Sequence, residues 1–124
     1  MKTAVIILGH GSRGGGKDTA IKQVVAAIRE SVSSDIVEYA FLQYAQPTPD
    51  EALDRCIRQG AKQIVIIPFF MQSGAHVTKD IPIFLEGARK KYPTIDISVT
   101  EYVGAHPLME QIVADLIRKS RQSR

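Results

Sequence analysis

Two histidines stand where they could take part in metal or proton chemistry. His10 closely follows one apolar run, and His76 follows another after the loop 71–75. An imidazole binds first-row divalent metals such as iron, cobalt and nickel, and its ordinary pKa of about 6.5 lets it accept a proton near neutral pH. A single histidine in a loop is more often an ordinary surface residue. Two histidines that meet at one crevice of the fold would favour a metal-binding or catalytic site. The third, His106, precedes Pro107, and helix capping or loop packing explains it.

A glycine-rich loop surrounds the first of these histidines. Residues 9–17 carry five glycines before the first predicted helix. Glycine permits positive φ and close backbone approach, so N–H groups near a helix N-terminus could hold an anion, reinforced by Arg13 and Lys17. The loop matches neither the dinucleotide-binding fingerprint nor the P-loop, because no lysine followed by serine or threonine closes it. A flexible connection between strand and helix is the alternative interpretation.

A carboxylate that could complete a metal site is absent from the end of the second predicted strand. Gln43 stands there, and its amide offers only a weak carbonyl oxygen as a further candidate ligand. Glu101, at the end of the fourth predicted strand, could partly substitute for it. Asp50 and Glu51 are better explained by favourable electrostatics at a helix start.

Composition limits the other kinds of site and partner. The single cysteine, Cys56, excludes an intramolecular disulfide and a multi-cysteine metal cage, and we expect it to pack within a helix. A net charge of +3 permits an anionic partner such as phosphate, a polycarboxylate or nucleic acid. No apolar run approaches the roughly 20 residues of a membrane span, and the apolar stretch within residues 1–8 is too short for a signal peptide. We therefore expect a soluble, cytoplasmic protein.

The apolar pattern divides the chain into four strands, each followed by a helix. Runs of β-branched residues predict strands buried on both faces, and apolar residues at helical spacing predict helices. The predicted strands are 3–8, 36–42, 63–69 and 95–100, and the predicted helices are 18–32, 48–59, 79–92 and 107–118. With 124 residues and no linker, the chain is expected to form one domain over residues 1–124.

This alternation predicts an α/β fold of three layers, in which helices cover both faces of a four-stranded parallel sheet. We favour the flavodoxin-like strand order 2-1-3-4. In that order strand 2 lies on one side of strand 1 and strand 3 lies on the other. The change of side creates a crevice outside the carboxyl ends of strands 1 and 3. His10 and His76 would meet at that crevice.

Four segments together carry a family resemblance. ILGHGSRG, FLQYAQPTPDEAL, IVIIPFFMQSGAHVTKDIP and YVGAHPL, in this order and spacing, resemble the short CbiX-type sirohydrochlorin chelatases, a group that includes the SirB and CfbA proteins. The resemblance covers nearly the whole chain. Its most specific parts are the GHGS loop and the segment PFFMQSGAHVTKDIP.

The resemblance implies a chelatase-like fold and a lyase that inserts a divalent metal ion into sirohydrochlorin, in cobalamin, siroheme or related tetrapyrrole biosynthesis. Co²⁺ is the first expectation, with Fe²⁺ and Ni²⁺ as alternatives. The resemblance also implies that His10 and His76 bind the metal and help to remove the pyrrole protons. It further implies a homodimer that forms a cleft between its two copies. Longer relatives form this cleft from the two halves of one chain. No organic cofactor, nucleic acid or membrane partner is implied.

The many carboxylates of sirohydrochlorin would fit a basic cleft rich in backbone amides. Phe69, Phe70 and Met71 could supply apolar walls against the macrocycle, although core packing is expected for at least one phenylalanine. The candidate substrate-binding residues are Gly11, Ser12, Arg13, Lys17, Ser73, Gly74, Ala75 and Lys79.

The chain departs from its relatives at one position, because several of them have glutamate where it has Gln43. This difference leaves the metal preference and the rate open. A non-catalytic carrier of metal or tetrapyrrole would use the same two histidines and is one alternative. Phosphoryl transfer on His10 is another, but Gly9 occupies the position at which histidine phosphatases carry arginine.

Overall fold

The computed structural model describes residues 2–15, 19–31 and 36–122, while the side chains of His76 and Val77 lie outside that description. Its strands are β1 Thr3–Gly9, β2 Ile36–Phe41, β3 Gln63–Pro68 and β4 Asp96–Val99. Its helices are α1 Thr19–Ser31, α2 Pro49–Arg58, α3 Ile81–Lys91 and α4 Met109–Gln122. Short 3₁₀ turns cover Arg13–Gly15 and Val103–Ala105, and a π-helical turn covers His76–Asp80.

The four strands form one parallel sheet in the order β2-β1-β3-β4, so the predicted topology is confirmed. The central strand β1 has neighbours on both sides, with Ile6 in register with Glu38 of β2 and Ile66 of β3. The chain therefore crosses from one side of β1 to the other between β2 and β3. The crevice predicted for such a crossing lies where β1 ends, at Gly9.

Successive side chains of the strands point to opposite faces of the sheet and belong to two separate apolar clusters. Ile6, Ile64 and Ile97 point to the face where α2 and α3 pack. Ile7 points to the other face, where it packs with residues of β2 and α1 such as Phe41. Helices therefore lie on both faces, as the three-layer prediction requires.

Helix α2 begins as its sequence predicts. The Thr48 hydroxyl accepts a hydrogen bond from the Glu51 backbone N–H at 3.2 Å, and the Glu51 carboxylate accepts one from the Thr48 N–H at 3.0 Å. These two bonds satisfy donors that a helix start would leave unpaired. They also lower the pKa of Glu51, with the Thr48 backbone N–H as the first cause.

Cys56 is buried in α2, as expected, and has no disulfide partner. Burial raises the pKa of its thiol to about 12, and the nearby Glu38 carboxylate acts in the same direction. The thiol therefore stays neutral and behaves as a small apolar group.

Two predicted helix boundaries were wrong. The last helix begins at Met109 rather than Pro107, because the Leu108 N–H donates to Nδ1 of His106 at 3.0 Å and holds a turn before the helix. It continues to Gln122, beyond the predicted residue 118. Lys119 contributes to this extension, because its Nζ lies 3.2 Å from the Asp115 carboxylate one turn earlier.

Candidate functional site

The ends of the three strands around the crevice are joined by main-chain hydrogen bonds. The Phe69 N–H donates to the Leu8 carbonyl at 2.7 Å on the β3 side. On the β2 side the Leu42 N–H donates to Gly9 and the Gln43 N–H donates to His10, both at 3.0 Å. These bonds hold the backbone of His10 between the exits of β2 and β3, where the sequence predicted it.

The side chain of His10 lines a cleft of about 470 Å³. Its ring lies against Phe70, with the ring centroids 4.3 Å apart and the planes inclined by 42°. Because Phe70 is only 4% exposed and belongs to the core, it is a rigid support for the imidazole. The other residues that line this cleft are Phe69, Met71, Gln72, Ser73 and Gly74.

Glycine is required at position 11 by a close approach of two loops. Gly11 has φ +83°, and the main chain of Gln43 occupies the space that a side chain at position 11 would need. The glycine-rich loop is thus packed onto the exit of β2. Gly14 also has positive φ, at +79°, but it faces open space.

The loop after β3 carries the second predicted histidine. The backbone of His76 begins the π-helical turn that follows the cleft-lining residues Ser73 and Gly74. The carbonyl of Gly74 accepts hydrogen bonds from the Thr78 N–H at 3.0 Å and the Thr78 hydroxyl at 3.1 Å. These bonds fix the loop as it enters the turn.

Comparison with known proteins identifies this arrangement. The CbiX family model matches residues 4–120. The chain belongs to the CbiX family. It is 34% identical over 114 residues to the chloroplastic sirohydrochlorin ferrochelatase of Arabidopsis thaliana, a match that covers 92% of this chain and 51% of the relative. It is 30% identical to the sirohydrochlorin cobaltochelatase of Methanosarcina barkeri, with 98% of this chain and 95% of the relative covered.

Solved structures agree on the fold of this CbiX chain. The sirohydrochlorin chelatase SirB from Bacillus subtilis subspecies spizizenii, in complex with cobalt, superposes with a TM-score of 0.85 at 28% identity. That match covers 96% of this chain and 51% of SirB. A CbiX protein from Marinobacter aquaeolei VT8 superposes at 0.87 with 23% identity, over 99% of this chain and 98% of that one. The chain thus spans about half the length of several relatives that it matches.

An aromatic contact between the glycine-rich loop and the segment after β2 was missed by the sequence reasoning. The Arg13 guanidinium lies 5.0 Å from the centroid of the Tyr44 ring and donates to the Tyr44 hydroxyl at 3.3 Å. Tyr44 is itself 58% exposed. The only signal for this pair was an aromatic residue directly after Gln43.

The remaining predicted binding residues of the CbiX chain are not all brought together. Ser73 and Gly74 share the cleft with His10. The predicted binding residues that do not line it are Gly11, Ser12, Arg13, Ala75 and Lys79. Lys17 lies outside the described residues.

Metal donors around His10 are few in the part of the chain that the structure describes. Among the described side chains, which do not include those of His76 and Val77, no cluster of three or more His, Cys, Asp or Glu could hold a metal ion. Gln43 is exposed beside the main chain of His10. Glu101 instead lines two clefts at the end of β4, so nothing in the geometry supports it as a substitute. No described helix is long and apolar enough to cross a bilayer.

Proposed function

We propose that this chain is a sirohydrochlorin chelatase, which inserts a divalent metal ion into a carboxylate-rich tetrapyrrole. One observation carries the proposal: His10 is held at the end of the central strand, with its ring against Phe70, in a cleft at the crossing point of the sheet. Membership of the CbiX family supports this function, because the relatives it matches are named as cobalto- or ferrochelatases.

The chemistry requires a metal donor and a base at one face of the macrocycle. As the ion enters, the pyrrole nitrogens must lose their protons, and a neutral imidazole is suited to accept one. An imidazole nitrogen that holds the metal cannot accept a proton at the same time. We therefore infer that His10 and His76 divide metal delivery and proton removal between them.

The glycine-rich loop that follows His10 is suited to anionic substituents. We propose that the backbone amides of the glycine-rich loop and the Arg13 guanidinium hold carboxylates on the β2 side. Phe69 and Met71 would pack against the macrocycle from the β3 side. The other proposed binding residues are Gly11, Ser12, Lys17, Ser73, Gly74, Ala75 and Lys79.

We further propose that residues 1–124 act as one domain in the cytoplasm, without an organic cofactor or a nucleic-acid partner. A homodimer would provide the second wall of the cleft. The homodimer is what the CbiX resemblance implies, and the matches cover 51% of the Arabidopsis enzyme and 95% of the Methanosarcina enzyme.

A direct assay tests the function. Purified protein is mixed with sirohydrochlorin and Co²⁺, Fe²⁺ or Ni²⁺, and the macrocycle absorption is followed against the uncatalysed reaction. We expect acceleration with at least one ion. His10→Ala and His76→Ala should each lower the rate by at least about a hundredfold, the usual contribution of a positioned acid or base.

His106→Asn is the matched control, because His106 lies in a different cleft and asparagine can still cap the turn before α4. Its rate should stay within about twofold of the wild type. No acceleration with any ion would reject the chelatase proposal, and near-full activity of either other histidine variant would reject the site assignment.

A non-catalytic carrier of metal or tetrapyrrole is the second candidate. Gln43 favours it, because an amide beside His10 is a weaker ligand and base than a carboxylate. Tight binding of sirohydrochlorin or metal without acceleration would support the carrier. Under the chelatase proposal, Gln43→Glu should raise the rate or change the preferred metal, and an unchanged profile would show that position 43 does not face the metal.

A further inference from the structure

The connection between β4 and α4 is bonded to the wall of the His10 cleft. Residues 102–105 of this connection, here called the brace, contain a short 3₁₀ turn. The Gly104 N–H donates to the carbonyl of Phe70 at 2.9 Å. Phe70 and Met71 both line the cleft, whereas no residue of the brace does. The brace therefore contacts the main chain of this wall without entering the cleft itself.

Glycine is required in the brace by space rather than by conformation. A side chain at position 104 would overlap the Cα and the carbonyl group of Met71. These are main-chain atoms, which cannot turn aside as the end of a flexible side chain can. Gly104 is not among the glycines with positive φ, so alanine could adopt its backbone conformation. Gly104→Ala would therefore act through the contact with Met71.

The brace is itself held at several points, so it would resist displacement by an added methyl group. The Thr100 N–H donates to the carbonyl of Ile66 at 3.0 Å, just before the brace begins. Within the brace the Ala105 N–H donates to the carbonyl of Tyr102 at 3.0 Å. The Tyr102 side chain packs against the apolar cluster that also contains Phe70. The brace and Phe70 therefore belong to one packed unit.

Phe70 connects this unit to the candidate site. The Phe69 N–H holds one side of its main chain through the 2.7 Å bond to Leu8, and the bond from Gly104 holds the other side. The Phe70 ring is 4% exposed, and its centroid lies 4.3 Å from that of the His10 imidazole. Closely packed interiors transmit strain, so a displacement of the Phe70 main chain would reach the imidazole.

We propose that Gly104 is a positioning residue for metal insertion, which sets the orientation of the His10 imidazole through the main chain of Phe70. This inference rests on the proposed function and adds to it a residue outside the cleft. An imidazole that delivers a metal ion or accepts a proton must point at the macrocycle nitrogens, and a misplacement of about 1 Å can lower a rate by about a hundredfold. The glycine of the segment YVGAHPL thereby acquires a role in the reaction.

Nuclear magnetic resonance of the full chain, without metal or tetrapyrrole, tests the structural part of the proposal. The ring current of Phe70 shifts the resonances of the His10 ring protons, which are assigned by their loss in His10→Ala. Phe70→Leu removes the aromatic ring and shows how far these resonances depend on it. We expect Gly104→Ala to change the same resonances, because the two rings would take a different mutual orientation.

The insertion assay tests the consequence for the reaction. Gly104→Ala should lower the insertion rate at saturating sirohydrochlorin by about tenfold to a hundredfold, because the imidazole keeps its chemistry and loses its alignment. Gly87→Ala is the matched control, because it makes the same substitution at an exposed position of α3 that faces open space. This control should leave both the His10 resonances and the insertion rate unchanged.

Three outcomes would overturn the proposal. The first is that Gly104→Ala behaves like Gly87→Ala in both measurements. The second is a lower rate with unchanged His10 resonances, which would indicate that the cleft loop 71–74 carries the effect. The third is changed resonances with an unchanged rate, because the orientation of the imidazole would then not limit the reaction.

Circular dichroism and thermal unfolding check that each variant is folded. If Gly104→Ala does not fold, Ala105→Gly replaces it, because Ala105 is exposed and glycine loosens the turn of the brace without removing buried packing. Its effects on the resonances and on the rate should be smaller than those expected for Gly104→Ala. If the wild-type chain inserted no metal, the chelatase proposal would fail, while changed resonances would still support the orientation of His10 by Gly104. Failure of the two proposals is therefore distinguishable.

Discussion

The two halves of the sheet differ in how they are covered. Strands β1 and β2 are covered by α1 on one face and α2 on the other, and Phe41 and Leu53, from opposite faces, are almost completely buried. Strands β3 and β4 are covered by α3 on one face, while Val65 and Ser98 remain accessible on the other. Similar apolar strand patterns thus end in different environments. The first half is complete within one chain, and the second has an apolar surface still to be covered.

The difference matters for the candidate site because the site lies between the halves. His10 follows β1, which belongs to the half that is covered on both faces. The cleft-lining residues 69–74 follow β3, which belongs to the half with one accessible face. Hydrogen bonds between the strand ends tie the two together. We therefore expect the geometry at His10 to be fixed within one chain and the geometry of the β3 loop to depend more on the partner.

Truncation of an apolar side chain in each half should show the largest effect. Phe41→Ala removes a side chain that is only 1% exposed and should lower the free energy of unfolding by about 3–5 kcal/mol at any protein concentration. Ile67→Ala, on the face of β3 that α3 does not cover, should cost about 1 kcal/mol in dilute protein. It should cost more in concentrated protein if the second copy of the proposed homodimer covers this face. Urea unfolding at two protein concentrations measures both. Equal costs that do not depend on concentration would remove the proposed difference between the halves.

The two loop glycines with positive φ provide a smaller, matched comparison. Gly14→Ala should lower stability by about 1 kcal/mol. The added methyl group meets no other atom there, so the only cost is the left-handed backbone conformation, which alanine adopts less readily than glycine. Gly11→Ala should cost more and should also lower metal-insertion activity, because the added methyl meets the Gln43 main chain and must displace the loop that carries His10. Urea unfolding and the insertion assay measure the two effects. Equal behaviour of the variants would show that the contact between residues 11 and 43 is not required.

Much of the fold could be predicted from the sequence because the signals were local. β-branched runs predicted all four strands, and the Thr48-to-Glu51 capping box marked the start of α2. The position of His10 followed from strand order alone, since the crossing point of a parallel sheet is set by topology. These features depend on short-range patterns and on one general rule for parallel sheets.

The features that could not be predicted are contacts between distant loops. The Arg13–Tyr44 contact and the tight approach of Gly104 to Met71 depend on exact loop paths, for which the sequence has no periodic signal. The apolar pattern of α4 predicted a helix correctly but did not show that its face would stay exposed. Amphipathic spacing indicates that a helix seeks a partner, not which surface provides it.

The smallest predicted effect concerns the covered half and its pH dependence. Hydrogen bonds from Thr48 lower the pKa of Glu51 below its ordinary value of 4.5, so the folded state favours the carboxylate. A group with a lowered folded pKa stabilises the fold above its unfolded pKa and loses that contribution as the pH falls through the folded pKa. Glu51→Gln should therefore show a slightly weaker loss of stability than the wild type when the pH falls from about 5 to 3, measured by urea unfolding at each pH. Because the capping box lies in α2, on the half that one chain completes, this difference should be the same in dimer and monomer. A difference that changes with protein concentration would show that the first half also depends on the partner.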